Sequence, residues 1–160
     1  DCVVDHADAK EKAEALTPAA VLVSLQEGNA RFWMGVASRP EMNAMERRAM
    51  IMQQFPKVAI VGCSDSRVPI EIVFDQGLGD VFAIRNAGNA YGVSVAASLD
   101  YAVSHLKVKL IVVLGHEGSP APFTAPPPCP RMKNPTFLTS GSIRRVWRSA
   151  SSTANTRGDQ

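Results

Sequence analysis

The chain has 160 residues, 46% of them hydrophobic and 20% charged, with a formal net charge of +2; such a composition builds one globular domain with its own core and excludes a fibrous or wholly disordered chain. No apolar run approaches the ~18 residues that a membrane span needs, the longest being Leu110 to Leu114, so no membrane span is expected. Bases outnumber carboxylates only after residue 130, which makes the positive charge a property of the tail, solvated there, and no nucleic acid is expected as a partner.

In chain order, residues 1–15 read as an N-terminal extension. They open with no basic-then-apolar leader, so any targeting segment is expected to have been removed or never included; the compartment stays open, soluble and cytoplasmic or organellar. Thr17 followed by Pro18 is an N-cap and a helix-opening proline, after which Val21, Leu22, Leu25 and Phe32 fall on one helical face. Met42, Met45, Ala49 and Met52 repeat that period in a second helix, ended near Pro56. Val58 to Val61 is a continuous β-branched run of the kind buried on both faces of a parallel sheet. Pro69 opens a short apolar helical turn, Val81 to Ile84 is a second strand, and Val93 to Leu106 is a helix with Leu99, Val103 and Leu106 inward. Leu110 to Leu114 is a third strand. The alternation predicts an α/β fold, a parallel β-sheet core flanked by helices. From Ser119 the texture changes: seven of the eleven prolines lie in SPAPFTAPPPCPRMKNP and no apolar period follows. Residues 119–160 are therefore expected to be a largely irregular Pro/Ser/Arg-rich tail. A sheet cut off after three strands would also leave the N-terminal helices to pack on a partner subunit.

Cys2, Cys63 and Cys129 have no paired spacing, which argues against a disulfide framework and for free thiols or metal ligation. In an open parallel sheet ligands bind at the carboxyl ends of the strands. Cys63, Asp65 and Arg67 end the first strand, and His116 lies just past the third. Thiolate, imidazole and carboxylate are a zinc-binding set. Each residue alone has a plainer role: Cys63 as a small core side chain, Asp65 as a turn residue, His116 as a loop histidine, Arg67 as a solvated charge. Gly77-Leu78-Gly79 precedes a strand, so it reads as a turn and implies no dinucleotide. His6 and His105 default to surface or packing roles.

CSDSR at 63–67 with the following VP, FDQGLGDVFAIRNAGN at 74–89, SLDYAVSHLKVKLIVVLGH at 98–116 and EGNARF at 27–32 resemble the β-class carbonic anhydrases. The resemblance covers about residues 16–118. It implies a zinc enzyme interconverting carbon dioxide and bicarbonate, a lyase, assembled as a homodimer or higher homo-oligomer. It further implies Cys63, Asp65 and His116 as zinc ligands, an Asp65–Arg67 pair deciding whether the aspartate coordinates metal, and Gln54 as the substrate-orienting amide, with Gln53 beside it as the other register. RNAGN at 85–89 would shape the pocket wall. The family's second cysteine ligand falls where this chain has Ser119, followed by Pro120, so zinc binding and hydration are expected to be weakened. Cys129 is expected to be an incidental thiol. An out-of-frame continuation or a natural tail would each account for 119–160. The alternative function is a catalytically inactive relative serving as a binding or oligomer-forming module.

Overall fold

The computed structural model describes residues 6–40, 43–116 and 137–138. Helix α1 (His6–Ala15) is followed by α2 (Pro18–Met34), the short α3 (Ala44–Ala49) and strand β1 (Val58–Cys63). Then come α4 (Ile70–Val73), β2 (Val81–Asn86), a 3₁₀ turn (Ala87–Asn89), α5 (Val93–Ser104), β3 (Leu110–Leu114) and β4 (Phe137–Leu138). The strands form one sheet in the order β2-β1-β3-β4, and every pairing is parallel. The predicted α/β class holds, with β1 central and next to β3 as their shared burial requires.

Period-two alternation along β1 and β3 divides the core into two layers. Val58 and Ile60 of β1 join Leu110, Val112 and Leu114 of β3 on one face, covered by Val21 and Leu25 of α2 and by Ile70, Val73 and Phe74. Ala59 and Val61 join Ile111 and Val113 on the other, covered by Val95, Leu99 and Ala102 of α5. The sheet is thus sandwiched, and every residue of β1 and β3 is buried.

Helix α2 begins as its sequence dictates, with Thr17 Oγ1 accepting from the Ala20 amide and Pro18 in the first turn. It ends at Gly35, whose φ of 73° lets Val36 N–H reach back to Arg31 O, a Schellman closure. Two features bind α2 to the turn after α4. Gly28 sits so close that an added Cβ would stand 1.9 Å from Phe74 O. Asp75, buried, accepts from Arg31 Nε at 2.6 Å, from the Ser38 amide and hydroxyl, and from the Arg39 amide. Burial alone would raise the Asp75 pKa; together the Ser38, Arg31 and Arg39 bonds outweigh it and hold the carboxyl well below its usual range.

One expectation changes. The second helix is confined to Ala44–Ala49, opened by a capping box between Asn43 and Glu46. Among the described residues its methionine period marks no core face, since Met45 and Met52 are exposed, and a helix with little to pack on stays short. Met42 lies outside the described residues. Residues 6–15, read as an extension, are helical, with a Lys10–Glu14 pair at i,i+4. Helix α2 lays Val21 and Leu25 on its own sheet, while Val23 and Met34 of the same helix are exposed. Phe137–Leu138, in the segment expected to be irregular, pairs with Ile111 and Val112; Ser119, Pro120 and Cys129 lie outside the described residues. No described helix is long and apolar enough to cross a membrane.

Candidate active site

The carboxyl ends of β1 and β3 bring Cys63 and His116 together, as the open-sheet rule anticipates. Cys63 is a free thiol, 5% exposed. Its sulfur is hydrogen-bonded by the His116 side chain and receives the backbone amides of Asp65, at 3.4 Å, and Gly88. The His116 bond, against the opposing effect of burial and with help from the two amides, lowers the thiol pKa to about 7. Near neutral pH a large share of this sulfur is thiolate.

Asp65 lies in the turn that leaves β1. Arg67 grips it with both guanidinium arms, Nη2 to Oδ2 at 2.7 Å and Nε to Oδ1 at 3.0 Å, while the Arg67 amide donates to Oδ1 at 2.9 Å. This charge-assisted fork holds the Asp65 carboxyl well below the usual carboxylate range and raises Arg67 in return. Arg67 is mostly exposed, so the pair is accessible to water.

The wall is built from β2 and the 3₁₀ turn. Arg85 donates through Nε to Cys63 O at 3.0 Å and through Nη2 to Asp65 O at 2.8 Å, fixing the turn's backbone from the neighbouring strand. Ser64 N–H reaches Asn86 O at 2.9 Å, and Asn86 Nδ2 bonds Ala90 O. Gly88 and Asn89 are both left-handed, with φ of 64° and 58°. Asn89, 2% exposed, directs its amide at Val61 O and Leu114 O. Arg85 and Asn89 were not singled out by the sequence; the Asn-Gly-Asn composition signals a left-handed turn but does not say which carbonyls the side chains meet.

Gln54 and Gln53 stand elsewhere. Both are exposed at the amino-terminal end of β1, lining an open cavity of about 470 Å³ with Met50, Ile51, Phe55 and Tyr101. Within one chain Gln54 is thus at the opposite end of the strand from Cys63. His105 stacks on Tyr101 with ring centroids 5.0 Å apart, the packing role expected of it. Gly77-Leu78-Gly79 is a turn, closed by Gly77 N–H on the Asp80 carboxylate.

Among the described residues no group of three or more His, Cys, Asp or Glu side chains is gathered as a metal cradle. Cys63 and His116 are nonetheless a fitting donor pair for zinc, a soft thiolate beside an imidazole. Asp65 is near enough to feel the His116 charge but commits its oxygens to Arg67.

The family description "Carbonic anhydrase" matches residues 58–125 of this chain. Over 100 residues the chain is 47% identical to the carbonic anhydrase of Mycolicibacterium smegmatis, covering 62% of this chain and 48% of that protein, and equally so to carbonic anhydrase 2 of Mycobacterium tuberculosis. It is 44% identical over 75 residues to the carbonic anhydrase of Pseudomonas aeruginosa, covering 43% of this chain and 34% of that one. Among solved structures, one of the tetrameric beta-carbonic anhydrases of Sordaria macrospora aligns with a TM-score of 0.47 at 33% identity, over 64% of this chain and 51% of its own. The chain spans about half the length of the curated relatives it matches.

Proposed function

Over residues 58–125 this chain belongs to the carbonic anhydrase family, and from that premise we propose that its site serves the zinc-dependent, reversible hydration of carbon dioxide to bicarbonate. One observation supports the reading above the rest: a buried cysteine, its thiol held near neutrality, meets a histidine at the carboxyl edge of a parallel sheet. In this reading Cys63 and His116 hold the metal, and Asp65 completes the set by letting go of Arg67. Zinc, when bound, supplies Lewis acidity that brings ionisation of water to about pH 7.

The chain's own residues do the rest. Asp65 is ionised at neutral pH and offers an acceptor beside the site, while Arg67 decides by pairing whether that acceptor is available. Arg85 keeps the turn in register from outside it. Gln54 carries an amide donor suited to a bicarbonate oxygen; being at the far end of β1, it can serve the site only from a second copy, which the proposed homodimer or larger homo-oligomer would provide. Ser119 in place of a thiolate ligand weakens the metal's hold and slows turnover.

Stopped-flow hydration of carbon dioxide with added zinc tests this. A zinc-dependent rate above the uncatalysed one, abolished by Cys63→Ala, is expected. A folded chain with no zinc-dependent rate, in both its own sequence and Ser119→Cys, would replace the reading with that of a non-catalytic relative.

A further inference from the structure

Cys63 and His116 come from different strands, and their meeting depends on how far apart the ends of β1 and β3 stand. The ladder between those strands ends at the Gly62–Leu114 rung. Beyond it no strand hydrogen bond fixes the spacing. The side chain of Asn89 lies at that boundary. Its amide nitrogen donates to Leu114 O on β3 and, at 3.5 Å, to Val61 O on β1. Val61 precedes Cys63 by two residues and Leu114 precedes His116 by two, so each anchored carbonyl belongs to the short segment that carries a site residue.

Asn89 also satisfies two demands that few residues meet together. At φ 58° it is left-handed, a region asparagine tolerates better than most side chains. Being almost fully buried, it must be able to donate two hydrogen bonds, since strand carbonyls left without donors in a dry interior are costly. Its neighbour Gly88 places a backbone N–H on the Cys63 sulfur, so one turn both clamps the strand ends and touches the site.

We propose that Asn89 is a positioning residue, whose buried amide ties the carboxyl ends of β1 and β3 together and so sets the separation at which Cys63 and His116 face one another. The inference rests on the reading of that pair as a zinc site, and its test is arranged to separate the two. Asn89→Gly keeps the left-handed backbone and removes the clamp, whereas Asn89→Asp keeps the outline and replaces the donor by an acceptor. Fold is followed by circular dichroism and thermal melting. Cobalt(II) is titrated into the metal-free chain and followed by its thiolate charge-transfer absorption. In the metal-free chain at fixed pH, the rate of Cys63 alkylation is read by peptide mass spectrometry with and without His116→Gln.

In folded Asn89 variants cobalt affinity is expected to fall by about 10–100-fold, the size of effect seen when a partner behind a metal ligand is lost. The change in Cys63 alkylation produced by His116→Gln in the unmodified chain should largely vanish in the variants. A merely stabilising role would lower the melting temperature and leave that coupling intact. Folded variants with unchanged affinity and unchanged coupling overturn the proposal, as does a failure of both variants to fold, which would make Asn89 a stability residue of the sheet. If the unmodified chain binds no cobalt, the zinc reading fails by itself, and the alkylation coupling alone decides the role of Asn89.

Discussion

A buried thiol ordinarily resists ionisation, because low-dielectric surroundings disfavour its charged form; Cys63 goes the other way because His116 and two backbone amides converge on its sulfur. His116→Gln should therefore move the thiol from about 7 back toward its ordinary value near 8.5, read from the pH dependence of Cys63 alkylation in metal-free protein. The sign of the linkage follows. A folded value below the unfolded one means that the contribution to stability is absent below pH 7 and grows as pH rises toward about 8.5; His116→Gln should flatten that rise in denaturant melts. Asp65 has the same sign in the acid range. Its pairing with Arg67 contributes at neutral pH and is lost only as pH falls below about 3.9 toward the depressed value. Arg67→Met should raise the Asp65 carboxyl toward the ordinary range in a carboxylate NMR titration, the backbone amide at 67 still donating to it, and an unmoved titration would show that the fork is not its cause. Strand ends and residue types drew attention to Cys63, Asp65, Arg67 and His116 in the sequence, and the resemblance gave them their proposed roles. Asn89 and Arg85 could not be read there, because their meaning lies in carbonyls of other strands.

Elements meet here through close contacts rather than through area alone. At Gly28 the approach of α2 to the α4 turn leaves an added Cβ only 1.9 Å from Phe74 O. Gly28→Ala gains about 1 kcal/mol of helix propensity, while overpacking costs about 1–3 kcal/mol or more, so the melting temperature should fall; a rise would mean that the contact yields easily. Asp75→Asn removes the negative charge and one of the two acceptor oxygens that serve Arg31, Ser38 and Arg39 and should cost about 1–3 kcal/mol in chemical denaturation, with no change in the Cys63 titration. Strands β1, β2 and β3 were legible because they are short apolar runs bounded by turns, and α2 because its cap and period agree; β4 was not. The methionine period of 42–52 misled, since an apolar spacing makes a helix face only where a surface exists to bury it, and Met45 and Met52 are left exposed among the described residues.

At the scale of the whole molecule, the sheet and its two covering layers are present in a chain that spans about half the length of the curated relatives it matches, with the two proposed zinc donors, Cys63 and His116, meeting at the sheet's carboxyl edge. Exposed Ile51 and Met52 border the same open cavity as Gln54, at the end of β1 away from Cys63, which places the proposed substrate amide on a surface suited to a second copy. In the proposed site Cys63 and His116 hold zinc, and Ser119 leaves it short of one strong ligand. Its most direct test is zinc retained per chain after exhaustive dialysis, compared among the unmodified sequence, Ser119→Cys and Cys63→Ser. Partial retention is expected in the first, a clear gain in the second and loss in the third; equal retention by the unmodified chain and Cys63→Ser would rule the proposed site out.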